Sequence, residues 1–225
     1  MSRGSILFRV ISLCMLAACM PAPTLAVDGQ TTIAFAENRI GMPPADFDLG
    51  VTGHGRPGTW TIVRDETAAG GLAIEQSSDD PTDDRFDFAV YQSLSLKNLA
   101  ASTRFKLITG TLKRAGLVFR FQNASNYYVL CANALEGRVD VFRVQGGEMK
   151  RVSGTDADVV LNHWQTLKLV ANGDQFDVSL DNTSLFTVWD QTFVTDGRVG
   201  LWTQEDNLTR FDQFAIAALP WSEGP

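Results

Sequence analysis

The sequence predicts an all-β domain, two antiparallel sheets packed as a jelly-roll sandwich, with a closed barrel as the alternative. Three observations predict it. From Ile33 onward, short apolar runs are separated by turn residues, with hardly any helical period. The clearest runs alternate apolar and polar residues, as half-buried strands do. The turns between them carry hairpin chemistry, Gly146-Gly147, Asn172-Gly173 and Asp196-Gly197.

In chain order, Ala34-Phe35 begins the first strand. Residues 41–58 are rich in Gly and Pro and read as a long loop. Residues 60–63 and 72–76 are strands around the Gly70-Gly71 turn. Residues 77–85 form an acidic loop, and 86–91 is again a strand. In 116–122, Leu117, Phe119 and Phe121 point one way, and Val118, Arg120 and Gln122 the other. The turn at 123–126 leads into 127–133. Gly137 returns the chain into 139–144, and Gly146-Gly147 pairs 148–152 back, completing an antiparallel meander. In the second half, 164–171 and 176–180 alternate. The turn Asp181-Asn182-Thr183 precedes Leu185, Phe186 and Val188. Two apolar strands, 197–204 and 211–216, close the chain.

The N-terminus reads as an export signal. Arg3 and Arg9 make it basic, and the apolar stretch 10–18 is too short to span a bilayer. Pro21 and Pro23 end any helix there. Two processing routes fit. Thr24-Leu25-Ala26 suits cleavage after Ala26, leaving a single domain over 27–225. Leu16-Ala17-Ala18-Cys19 resembles a lipobox, giving a signal over 1–18 and a lipidated Cys19. Either route places the domain outside the cytoplasm, periplasmic or extracellular, with membrane contact only through a lipid anchor.

Formal net charge is −7, and loss of Arg3 and Arg9 takes the domain to −9. That acidity argues against nucleic acid and anionic membrane faces as partners. Cleavage after Ala26 leaves Cys131 as the sole cysteine, so no intrachain disulfide follows; in the apolar run 127–132 it reads as a small buried hydrophobe. Two histidines, His54 and His163, and one mature cysteine are too few for a usual zinc site.

Glycoside cleavage on a strand needs two carboxylates on one face. Glu136-Gly-Arg-Val-Asp140 lacks the Glu-x-Asp-x-x-Glu spacing of jelly-roll glucanases, and Asp177 and Asp181 flank a turn. The acidic run 79–84 offers Asp79, Asp80, Asp83 and Asp84 as oxygen ligands for calcium, or else is a solvated loop. No other cofactor is expected. A sugar site needs aromatic faces plus amides, carboxylates and guanidiniums for hydroxyls. Arg120 and Gln122 are expected on an outer, concave face, opposite the phenylalanines. Trp202, out of phase with Leu201, joins them, and Asn133, Arg143 and Gln204 complete the candidate set. The alternative is that the arginines pair with acids and the tryptophan packs.

The stretches Gly116-Leu-Val-Phe-Arg-Phe-Gln122, Asn126-Tyr-Tyr-Val129, Ala132-Asn-Ala-Leu-Glu136, His163-Trp-Gln-Thr-Leu167 and the closing pair 197–214 resemble exported concanavalin A-like domains of the lectin and glucanase fold. Within that group the chain is similar to the 3-keto-disaccharide hydrolase domain family. The resemblance covers about half the chain and carries no catalytic residue onto it. It implies a reaction in which a base removes the C2 hydrogen of a 3-keto sugar, the aglycone leaves and water adds. Such chemistry needs a base and an electrophile, for which a metal would serve. Three functions follow. The first is non-catalytic binding of a carbohydrate or envelope glycan. The others are a keto-sugar glycoside hydrolase and a structural envelope domain.

Overall fold

The computed structural model describes residues 30–33, 35 and 39–220. Both processing sites, Cys19 and Ala26, lie outside these residues, as does Ala34.

The described chain folds into two antiparallel sheets. The seven-stranded sheet runs, edge to edge, β10 (Glu148–Asp156), β9 (Arg138–Gln145), β8 (Asn126–Asn133), β7 (Arg114–Asn123), β14 (Gly197–Gln204), β5 (Phe86–Leu96) and β2 (Phe47–Thr52). The eight-stranded sheet runs β13 (Thr183–Trp189), β12 (Gln175–Leu180), β11 (Gln165–Asn172), β6 (Leu99–Gly110), β15 (Asn207–Ala218), β4 (Leu72–Ser78) and β3 (Thr59–Arg64), with β1 (Thr31–Thr32) added on β15. This is the expected sandwich. A 3-10 turn at Ala69–Gly71 connects β3 to β4.

The core lies between the sheets. Leu117, Phe119, Tyr128, Leu130 and Leu201 from one sheet meet Phe105, Leu169, Phe176, Val178 and Phe211 from the other. Phe119 stacks on Tyr128 at 5.1 Å, and Phe176 meets both rings edge-on at 5.1 and 5.0 Å. Such pairs add about 0.5–1.5 kcal/mol each beyond the area they bury.

Three expectations are corrected. The first described strand is Thr31–Thr32, and Phe35 is not in a strand. The expected loop 41–58 contains β2, an edge strand. Phe47 anchors it in the core against Tyr91 and Phe214, at 5.6 and 5.7 Å. Its Gly50 looks like a loop residue but is needed for packing, because a Cβ there would come within 2.6 Å of the Phe88 ring.

The third correction concerns β7. Arg120 has φ +47°, a left-handed conformation that inserts a bulge and breaks the pairing with β8 between Phe119 and Asn123. The phase of the strand flips there. Phe121 moves to the outer face with Val118, and Arg120 turns inward beside Phe176. The partner strand accommodates the bulge with a glycine, since a Cβ on Gly197 would sit 2.3 Å from the Arg120 carbonyl carbon.

The outer face of the seven-stranded sheet carries a second apolar layer, including Phe86, Phe88, Phe121, Tyr127 and Trp202. Thr52 on β2 hydrogen-bonds the Tyr127 hydroxyl on β8 across that face at 2.7 Å. The sheet therefore curls with this face concave, as the right-handed twist of long strands allows.

Candidate functional site

The six residues expected to bind a ligand do not converge on one open surface. Arg120 is sealed between the sheets. Its Nη1 donates to Phe193 O at 2.8 Å, its Nε and Nη2 to Lys97 O at 3.3 and 3.2 Å, and its Nη2 also to Gly173 O. Burial pulls its pKa down, against the nearby Tyr128, Asp174, Asp190 and Asp196. The expected outward guanidinium is thus an inward one, serving backbone carbonyls. Gln122 is exposed and donates to Asp196 O at 2.7 Å. Arg143 donates to Asp190 Oδ2 at 3.1 Å and to Thr192 Oγ1 at 2.5 Å.

Trp202, Asn133 and Gln204 lie on the concave face and are buried there. Trp202 packs on Phe86 at 5.8 Å. Asn133 Oδ1 accepts the N–H groups of Leu135 and Glu136, closing the β8–β9 turn. Gln204 Oε1 accepts from Arg114, which also pairs with Glu136 at 2.8 Å.

The acidic loop is occupied with its own chain. Asp80 accepts from Arg56 N at 2.8 Å, Thr82 N at 3.0 Å and Thr82 Oγ1 at 2.5 Å, which hold its carboxyl well below the usual range. Asp79 pairs with Arg56, while Asp83 and Asp84 are exposed. Among the described residues no three acidic, histidine or cysteine side chains gather as a metal-ligand set. Burial pushes the Cys131 thiol up to about 12, so it stays protonated and is no nucleophile.

The open surface with recognition chemistry lies on the β12–β13 hairpin, at the edge of the eight-stranded sheet. Phe176, Val178, Leu180 and Val188 face the core. Alternation turns Gln175, Asp177, Thr187 and Trp189 outward. Trp189 pairs across the ladder with Gln175, and Thr187 with Asp177. The Trp189 side chain is left open, the residue being 60% exposed. Trp60 and Trp202 are buried, and the Trp164 ring is covered by Arg104 and Lys106, at 4.9 and 4.8 Å. Beside Trp189, the Gln175 amide donates to Asp177 at 3.1 and 3.2 Å, and Thr187 Oγ1 donates to the same carboxylate at 2.6 Å. The result is an apolar ring face flanked by an amide, a carboxylate and a hydroxyl held in one plane of the sheet. The sequence already held the signal: with Val188 inward, a strand one residue longer places Trp189 outward. The expected strand stopped at Val188.

The chain after Trp189 is tied down from within. Asp190 accepts from the Tyr128 hydroxyl, from Thr192 N at 2.8 Å and from Arg143. Burial pushes the Asp190 carboxyl up, but these bonds outweigh it and hold it below the ordinary value. Burial and the adjacent carboxylate push the Tyr128 phenol up to about 12. Across the strand ends of β3, β4, β15 and β6, an open groove of about 410 Å³ is lined by Thr59, Ser77, Asp79, Thr109, Asp206 and Asn207.

Several solved structures share this architecture. The carbohydrate binding module CBM66 from Bacillus subtilis superposes with a TM-score of 0.62 at 21% identity, over 82% of this chain and 100% of that one. Domain 4 of AbnA, an extracellular arabinanase from Geobacillus stearothermophilus solved with arabinotriose, gives 0.57 at 12%, over 87% and 94%. The exoplasmic/lumenal domain of VIP36, in a Ca2+-bound form, gives 0.57 at 10%, over 82% and 90%. The chain has the jelly-roll fold of these domains. No protein-family model matches the sequence, and no curated protein sequence does. At these identities the likeness is one of fold.

Proposed function

We propose that this domain binds a carbohydrate chain without cleaving it, on the face presented by β12 and β13. The observation that carries the reading is Trp189, an open indole set beside Gln175, Asp177 and Thr187. The C–H faces of a pyranose or furanose stack on an aromatic ring, while planar amide and carboxylate groups take its hydroxyls. The fold supports the reading, since CBM66 and the arabinotriose-bound arabinanase domain are built the same way. We also read the chain as exported, supported by its basic, apolar and then proline-broken N-terminus.

The test is retention on a panel of soluble and insoluble polysaccharides, followed by titration calorimetry on whichever is held. Wild type is expected to bind at least one of them. Trp189→Ala should weaken that binding at least tenfold while leaving the melting temperature within a degree or two, because an exposed ring contributes little to the core. Equal binding by Trp189→Ala would refute the site. Turnover of a 3-keto-glucoside would replace binding with hydrolysis. Retention by nothing in the panel would leave the structural envelope reading.

A further inference from the structure

The exposed indole of Trp189 stands on a segment whose attachment to the core runs through buried polar groups. Asp190, the next residue, receives the Tyr128 hydroxyl and the Arg143 guanidinium, both from the seven-stranded sheet. The Tyr128 oxygen in turn accepts Phe193 N at 3.1 Å. Arg143 also holds Thr192 Oγ1, and Arg120 holds Phe193 O. The hairpin that carries Gln175 is gripped as well: Arg120 donates to Gly173 O, Asp190 N donates to Asp174 O at 2.9 Å, and Gln191 Nε2 donates to Asp174 Oδ2 at 2.7 Å. Side chains of one sheet thus pin both halves of a surface built on the other.

We propose that Tyr128, Arg143 and Arg120 are positioning residues that fix the Trp189 ring and the Gln175 hairpin in one orientation for a ligand. The proposal rests on the glycan reading for its biological purpose, but the orientation itself can be read without a ligand. A side chain that must stack on a sugar gains affinity when its conformation is set before binding, because ordering it then costs less. Charged and buried hydrogen bonds suit that role, since they are directional and breaking one leaves a buried carboxylate or carbonyl without its partner. The arrangement also accounts for the bulge at Arg120. With an extended backbone at 120, its guanidinium would lie on the opposite face of β7, away from Gly173 and Phe193.

The experiment uses the full domain labelled with 5-fluorotryptophan, with the Trp189 fluorine resonance assigned by its loss in Trp189→Phe. Tyr128→Phe removes a single oxygen and keeps the ring stacked on Phe119, so the domain should fold. Arg143→Lys is the second variant and keeps the charge. Tyr128→Phe is expected to shift or broaden the Trp189 resonance while leaving those of Trp60 and Trp202 in place. It should also weaken glycan binding about tenfold. Arg143→Lys should do the same to a smaller degree. An unchanged Trp189 resonance in both variants overturns the proposal, as does a disturbance spread equally over all the tryptophans, which marks general loosening. If wild type binds no glycan, the function proposed above falls, and the fluorine spectra still decide whether Tyr128 sets the indole.

Discussion

Thr52 Oγ1 lies 2.7 Å from the Tyr127 hydroxyl, although three strands separate β2 from β8 in their sheet. Such a bond can form only because the sheet curls until its edge meets its far corner. The bond closes the concave face over Phe88 and Phe121, whose rings lie 4.9 Å apart. Thr52 also donates to Ala124 O, so one side chain ties the edge strand to the β7–β8 turn.

Thr52→Val is therefore expected to cost about 1–3 kcal/mol, the penalty for leaving a buried polar group without its partner. Tyr127→Phe should cost a similar amount. The double variant should be less unstable than the two single losses combined, because neither oxygen is then stranded. Urea unfolding of the four proteins gives the coupling directly. Strict additivity would mean that the bond does not hold the curl.

Asp65 sets part of the acid sensitivity. It is buried, which by itself pushes its carboxyl up. Bonds from Lys106 at 2.5 Å, Thr67 and Arg210 at 2.9 Å outweigh that and hold it well below the ordinary carboxylate value. A group whose pKa is lowered by folding contributes stability that is fully present above its unfolded value, about 3.9. That stability is lost as the pH falls through the lower folded value. Asp65→Asn should thus destabilise the protein by about 1–3 kcal/mol at pH 7, where Lys106 loses its carboxylate while Arg210 keeps Glu75 at 2.8 Å. The difference from wild type should shrink as unfolding is measured at progressively lower pH. Asp87 acts with the opposite sign: burial raises its carboxyl pKa, so its contribution falls as pH rises above the unfolded value.

Cys131 should be silent in the folded protein. Its thiol is buried and pushed up to about 12, so almost no thiolate exists at neutral pH. Labelling with a thiol-reactive dye should proceed only through unfolding, with a rate that rises with denaturant along the unfolding arm of the kinetics. Rapid labelling of the native domain at pH 8 would contradict the burial.

Much of the architecture was legible before any coordinates. The alternation in 164–171 and 176–180 set Leu169, Phe176 and Val178 on a common side of their strands, and they face the core together; 127–133 is apolar throughout, so only the structure shows Tyr128 and Leu130 facing inward. Gly146 and Gly147 both adopt the positive φ expected of a two-residue hairpin, at +62° and +88°. Trp202 and Leu201 do face opposite ways. The site was less legible. Trp189 follows from the same alternation, but only if β13 runs one residue beyond Val188.

By itself, the sequence determined the fold class, because a side-chain period of two and glycine-bearing turns are local properties that each strand carries alone. The tertiary structure alone decided which side of β7 Arg120 occupies. A one-residue bulge reverses the face of every residue after it, and that bulge depends on Gly197 of a neighbouring strand and on carbonyls of Lys97, Gly173 and Phe193 far away in the chain. It also decided that the concave face is closed and that Trp189 keeps an open indole, since exposure depends on how far a sheet curls and not on the order of residues along one strand.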